Sequence, residues 1–280
     1  MTLSDLVRLA LEEDVGPGDV TTRAVVDPAA RGTARIVAKQ PLVVSGQSAA
    51  TEVFRQLDAR YTAVEADGAE VTPGTVVARV DGTLAALLVG ERTALNFLMR
   101  LCGVATHTRS VVRAAGALRV VDTRKTTPLL RALEKAAVRD GGAANHRYAL
   151  YDGVLIKDNH IVAAGGITTA VRRARAEAHH LLRVEVEVED LAELAEALAA
   201  GVDVVLLDNM DDATLREAVA MRAVHRANGG QPVVLEASGN MTAERIARLG
   251  DVGLDFVSMG GLVHQARWAD LSMRIDPLPA

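Results

Sequence analysis

After residue 117 the sequence alternates six short apolar runs, each ending in a polar corner, with five stretches of helical spacing. The apolar runs are LRVVD (118–122), GVLIK (153–157), LRVEVEV (182–188), DVVLLD (203–208), PVVLE (232–236) and LDFVSM (254–259). Helical spacing lies between or after them at 128–139, 166–178, 190–200, 211–226 and 241–249. Alternation of this kind predicts right-handed βα crossovers and a parallel sheet. Six strands with no reversal of texture favour a barrel, and an incomplete one. A doubly wound open sheet is the alternative, but no Gly-rich dinucleotide fingerprint follows the first strand.

The earlier part has a different texture. Leu3, Leu6, Leu9 and Leu11 give residues 3–13 one apolar side, and GPGD then breaks the chain. From about 32 to 82, β-like pieces (TARIVAKQPLVVSG, YTAVEADGAEV, TVVARVDG) are joined by Gly, Pro and Asp turns. Helical spacing returns at 45–57 and over 89–115, so this part reads as an α+β domain. A chain of 280 residues can bury a core large enough for a barrel with a smaller companion domain.

Bulk composition excludes several classes of function. Net charge is −5, and three Phe, three Tyr and one Trp leave little material for base stacking, so nucleic acid is not an expected partner. Cys102 is the single cysteine, cannot form an internal bridge, and sits in LNFLMRLCGVA (95–105), which reads as a packed helix. It is expected to be a small buried side chain rather than a nucleophile. No run approaches the ~18 apolar residues needed to span a bilayer. The opening residues carry no cleavable leader pattern, so a cytoplasmic protein without membrane contact is expected.

In folds of this kind the C-terminal ends of the strands face the active site. This chain places there Asp122, Arg124 and Lys125; Lys157, Asp158, Asn159 and His160; Glu185, Glu187 and Glu189; Asp208 and Asn209; Glu236, Ser238, Gly239 and Asn240; and Ser258, Gly260, Gly261 and His264. One polar strand end is an ordinary solvated rim; six together point to a site. Both ASGN (237–240) and MGG (259–261) put small residues at a strand-to-loop corner, where backbone N–H groups can approach an anion. Plain turn glycines are the bland reading of each loop alone. MTAER after Asn240 resembles a helix start, whose dipole favours negative charge.

Charge balance narrows the substrate class. Arg92, Arg124, Lys125, His146, Arg147 and Lys157 are too many potential cations for one phosphate. Glu185, Glu187 and Glu189 share one face of their strand by period two, opposite Val184, Val186 and Val188. Glu187 near the mouth is the expected working residue, Glu185 is deeper and paired, and Glu189 caps the next helix. Asp208 joins Glu187 from the neighbouring strand. The set fits a sugar phosphate bound with magnesium plus an anionic second substrate, and a glycosyl-type transfer through an oxocarbenium-like state.

Several runs in order carry a family resemblance: LEEDVGPGDVTT (11–22), ERTALNFLMRLCGVAT (91–106), DTRKTTPLLRALEKAAV (122–138), ANHR (144–147), VLIKDNH (154–160), VEVEVE (184–189), LDNM (207–210) and EASGN (236–240). Together they resemble nicotinate-nucleotide pyrophosphorylase (carboxylating), the quinolinate phosphoribosyltransferase family, over nearly the whole chain. The resemblance implies an N-terminal α/β sandwich (1–115), a C-terminal incomplete α/β barrel (116–268) of the type II phosphoribosyltransferase kind, and a tail (269–280) returning to the first domain. The implied reaction joins quinolinate to phosphoribosyl diphosphate with magnesium, and releases nicotinate mononucleotide, diphosphate and carbon dioxide for NAD biosynthesis.

The same resemblance implies a homodimer with shared active sites, alone or within a larger homo-oligomer, in which Arg92 is lent to the partner's quinolinate. Arg124, His146, Arg147 and Lys157 then complete the quinolinate pocket, with Lys125 near it and the diphosphate. Glu187 and Asp208 face the ribose and magnesium, directly or through water and diphosphate. Ser238, Gly239, Asn240, Gly260, Gly261 and His264 correspond to the phosphate-holding loops. Lys125, Lys157, Glu187 and Asp208 form the catalytic set.

The chain departs from the family pattern at Leu129 and Ala143, both in place of glycine, at Ala136 in place of an aromatic, and at Val263 and Gln265 in the last loop. None removes a charged residue from the set. Three rival readings remain: a Schiff-base aldolase using Lys157 with a lowered pKa, the sister group associated with molybdenum transport, and a sugar-phosphate-binding protein without turnover. The intact KDNH (157–160) speaks against the sister group. His107, His179, His180 and His225 lack metal-ligand spacing and read as surface or loop residues. His160 fits either a structural or a functional role.

Overall fold

A computed structural model describes residues 1–278 of the chain. The first elements are α1 (Leu3–Val15), α2 (Val20–Val25), β1 (Arg31–Ala38), β2 (Leu42–Val43), α3 (Gln47–Gln56), β3 (Arg60–Ala63), β4 (Glu70–Val71), β5 (Val76–Thr83) and α4 (Leu84–Ala115). Then follow β6 (Arg119–Val121), α5 (Arg131–Asp140), β7 (Val154–Ile156), α6 (Asp158–Ala164), α7 (Ile167–Glu177), β8 (Val184–Val188) and α8 (Leu191–Ala199). The chain continues through β9 (Val204–Asp208), α9 (Asp212–Ala227), β10 (Val234–Ser238), α10 (Ala243–Leu249), β11 (Phe256–Ser258), α11 (Gly261–His264) and β12 (Leu271–Pro277). No helix of the described residues is long and apolar enough to cross a membrane.

The chain divides into two compact units, and the first draws on three separate stretches: residues 1–109, 127–142 and those from 265 onward. Its main sheet has the order β12-β1-β5-β3, with each neighbouring pair antiparallel. Alternating burial along β1 turns Ala34, Ile36 and Ala38 toward a core shared with Val7, Phe54, Val80, Leu87 and Leu98. Cys102 lies in this core and exchanges hydrogen bonds with the backbone of Ser45, and burial pushes its thiol up to about 12. That environment suits an inert packing residue.

The division departs from the expected boundary at 115. α5, read from the sequence as the first helix of the barrel, clusters with the first unit. The reason is polar as well as topological. Glu134 is fully buried and accepts from Arg100 of α4 (Nε at 3.0 Å, Nη2 at 2.7 Å) and from the backbone N–H of Thr127 (2.8 Å). Arg109 donates to the carbonyls of Asp140 and Gly141 (2.9 Å each), while Ser45 Oγ donates to the Asp140 carboxylate at 2.7 Å. α4 also begins earlier than its periodicity indicates, at Leu84.

The second unit comprises residues 110–126 and 143–264. Its six strands are parallel, in the order β6-β11-β10-β9-β8-β7. Successive strands from β7 to β11 are neighbours, as in a barrel, and β6 joins at the β11 side. Closure would need β6 to meet β7. Instead Ala144 makes a parallel bridge to Val121, taking the Val120 carbonyl and giving its own to Asp122 N–H. The barrel is therefore incomplete, with its break beside residues 144–147.

Candidate active site

The C-terminal ends of the six strands surround a cavity of about 550 Å³ lined by Arg124, Lys125, His146, Arg147, Lys157, Glu187, Asp208, Ser238, Gly239 and Asn240. These ten were singled out from the sequence, and they converge from six segments. Leu155, Leu206, Glu236 and Ser258 also form its wall. The two leucines sit within the apolar runs VLI and VVLLD, where no alternation of polarity marks the inward side.

Asp122 follows β6 and is fully buried. Its carboxylate accepts from the His146 backbone N–H (2.8 Å) and the Asn145 amide (2.7 Å), so it fixes the 145–147 segment. Asp122 thus ties the end of β6 to the segment across the break. Arg147 donates to the Gly153 carbonyl at 2.9 Å. Burial and the like charge of Arg124 lower the Arg147 pKa. Two guanidinium groups are thus held close by the fold, an arrangement that favours binding of an anion.

Lys157 caps α6, with its backbone N–H donating to His160 Nδ1 at 3.0 Å, which gives His160 a structural task. The Lys157 ammonium pairs with Glu187 from β8. Asp190, not Glu189, caps α8, by accepting from Glu193 N–H at 2.8 Å. Asp208 ends β9, two residues beyond the register partner of Glu187, and accepts from Asn209 Nδ2 at 2.6 Å.

His146 and Glu236 of the cavity wall form a buried cluster with Glu185. His146 Nε2 is 3.2 Å from Glu185 Oε2 and 3.6 Å from Glu236 Oε2, and both carboxylates are buried. Burial lowers the His146 pKa, but the two carboxylates outweigh it and leave it raised. Burial and the nearby Glu185 push the Glu236 carboxyl up to about 7. The three could be taken for a metal site, since their ligand atoms lie within 4.8 Å of one another. However, Arg147 N–H donates to His146 Nδ1 at 2.7 Å, which assigns the proton to Nε2 and makes it a donor to Glu185 rather than a lone-pair ligand. Glu236 is expected from the sequence as a polar strand end, but its contact with His146 is not encoded in VVLEAS.

The strand-end loops of β9 and β10 touch closely. Asn209 N–H donates to the Ser238 carbonyl (3.0 Å) and Asn240 Nδ2 to Asn209 Oδ1 (3.1 Å). Gly239 has φ +88°, and a Cβ there would stand 2.1 Å from Asn209 Oδ1, so only glycine fits. Gly260, Gly261 and His264 adjoin the cavity without lining it: a Cβ at Gly260 would lie 2.8 Å from Lys125 Cδ and 3.4 Å from His264 Nε2. Arg92 belongs to the other unit, exposed on α4.

Residues 19–102 match the family described as quinolinate phosphoribosyl transferase, N-terminal domain, and residues 104–274 match its C-terminal domain. The chain is 44% identical over 270 residues to a probable nicotinate-nucleotide pyrophosphorylase [carboxylating] of Synechocystis sp., covering 95% of this chain and 90% of that one. It is 39% identical to the nicotinate-nucleotide pyrophosphorylase [carboxylating] of Homo sapiens, covering 98% and 92%. The crystal structure of NadC from Streptococcus pyogenes superposes with a TM-score of 0.92 at 39% identity, covering 99% of this chain and 97% of that one. The nicotinate-nucleotide pyrophosphorylase from Francisella tularensis gives 0.90 at 37%, covering 98% and 96%. With both halves matched and relatives aligned along nearly its full length, the chain belongs to the quinolinate phosphoribosyltransferase family.

Proposed function

We propose that the protein transfers the phosphoribosyl group of phosphoribosyl diphosphate to quinolinate, with loss of one carboxylate as carbon dioxide, to give nicotinate mononucleotide and diphosphate. The observation that carries this reading is that Arg124 and Arg147 line one cavity with like charges that repel, together with the Lys157–Glu187 ion pair and the Asp208 carboxylate. A pyridine dicarboxylate relieves the repulsion between the guanidiniums, while the acids face the sugar.

The chemistry requires orientation more than a covalent nucleophile. The pyridine nitrogen lone pair forms the bond to ribose C1 as the C1–O bond to diphosphate breaks, its electrons leaving with the diphosphate. Positive charge developing at C1 is stabilised by Glu187 and Asp208, and Lys125 holds the departing diphosphate. The 2-carboxylate then leaves as carbon dioxide; its bonding electrons remain at C2 beside the pyridinium nitrogen, and C2 takes up a proton. His146, with both ring nitrogens engaged by Arg147 N–H and Glu185, presents its ring to the cavity and is a wall rather than a shuttle.

Magnesium fits the carboxylate donors of this wall: Glu187 and Asp208 would hold it together with diphosphate oxygens and water. When bound, it neutralises charge on the leaving diphosphate. On the same reading the enzyme is a cytoplasmic homodimer, and Arg92 serves the quinolinate of a second copy. Pure protein incubated with quinolinate, phosphoribosyl diphosphate and magnesium should yield nicotinate mononucleotide and carbon dioxide in equal amounts; no product would overturn the proposal. Arg124→Ala should mainly weaken quinolinate binding, and Asp208→Ala should lower kcat by about 100-fold.

A further inference from the structure

One loop assigned to the ribose phosphate, residues 238–240, and the loop that follows Asp208 are held together by a residue outside the cavity. Arg245 stands in the first turn of α10, and its side chain is 14% exposed. Its guanidinium makes a three-way latch. Nη2 donates to the Met210 carbonyl at 2.5 Å, Nη1 to the Gly239 carbonyl at 3.1 Å, and Nε to Asp212 Oδ1 at 3.0 Å. Met210 belongs to the loop after β9 and Gly239 to the loop after β10, so a single planar group ties both strand ends to the start of α9.

These loops need such a tie. Asn209 (φ +54°), Gly239 (φ +88°) and Asn240 (φ +49°) all occupy the left-handed region, two of them at a cost because they carry side chains. From Met210 the connection reaches chemistry in one step, because its neighbour Asn209 donates to Asp208. None of the quinolinate-side cations Arg124, Arg147 and Lys157 is bonded to Arg245.

We propose that Arg245 is a positioning residue for the phosphoribosyl half of the site: it locks the Asn209 and Gly239–Asn240 loops in the conformation that accepts the sugar phosphate and aims Asp208. This rests on the function proposed above. The planar fork is what matters, since an ammonium at the same place cannot serve three acceptors in fixed directions.

The test compares the wild type with Arg245→Lys, which retains the charge, and Asp212→Asn, which loosens the latch and leaves Arg245 in place. Expected for R245K is a rise of at least tenfold in the KM for phosphoribosyl diphosphate, with the quinolinate dissociation constant within twofold of wild type. D212N should shift the same constant in the same direction by less. Calorimetric titration with ribose 5-phosphate provides a readout independent of turnover, and R245K should bind it at least tenfold more weakly. Ribose 5-phosphate affinity within twofold of wild type, or equal losses for both substrates, overturns the proposal. So does a wild type that does not bind ribose 5-phosphate at all. A wild type that binds it through Arg245 yet makes no nicotinate mononucleotide refutes the assigned reaction and leaves the positioning role standing.

Discussion

At the scale of single residues, Leu129 is a local conflict with a measurable size. Its φ is +69°, a region where a branched apolar side chain is strained, and two thirds of it is exposed, so little burial compensates. The family resemblance has glycine at this place, and the backbone supplies the reason. Leu129→Gly should raise stability by about 0.5 kcal/mol, the relief of strain less the entropy of an added glycine, read as a higher urea midpoint. Glu236 is a second conflict. Its folded pKa is raised to about 7 from an unfolded value near 4.5. The folded state therefore binds the extra proton: its favourable contribution is complete below pH 4.5 and is lost as pH rises through 7. The groups facing it are His146, Glu185 and Ser258. Glu236→Gln should be more stable relative to wild type at pH 8 than at pH 5 in paired urea titrations, and the reverse order would refute the shift.

At the scale of elements, α5 shows how a helix found from its spacing can have partners that spacing does not reveal. Its helical spacing predicts 128–139, close to the observed Arg131–Asp140. What the spacing could not reveal is that Glu134 is a buried anion awaiting Arg100, about 34 residues earlier in the chain. Glu134→Ala leaves that guanidinium half-buried without its main partner and should cost about 3 kcal/mol, measured by chemical denaturation; a loss within 0.5 kcal/mol, the usual range for surface sites, would show that the pair is marginal. The strands were legible for a different reason: each is a short apolar run bounded by charge, a pattern that burial and parallel pairing both require. The strand ends were legible too, because Arg124, Lys157 and Asp208 interrupt apolar sequence abruptly. Glu185 and Glu236 were harder to interpret, since their meaning lies in a contact with His146 that no local spacing encodes. Arg245 was hidden in an ordinary helix start, its role defined by carbonyls of two other segments.

At the scale of the whole molecule, the proposed sharing of Arg92 makes a quantitative claim. Arg92→Ala and Asp208→Ala damage different halves of a site built from two chains. Mixed and allowed to exchange subunits, two inactive variants should recover about a quarter of wild-type activity, because half of the dimers are mixed and each holds one intact site. No recovery after demonstrated exchange would place Arg92 in its own chain's site or in none. The architecture of the first unit carries a further consequence. β12 (271–277) completes the β12-β1-β5-β3 sheet by covering the edge of β1, although some 230 residues separate the two strands. A nascent chain leaving the ribosome has every residue of the second unit before it has the last strand of the first. The barrel unit can therefore fold first, and until residues 271–277 emerge β1 remains an open edge, the natural place for a chaperone to act or for a stalled chain to aggregate.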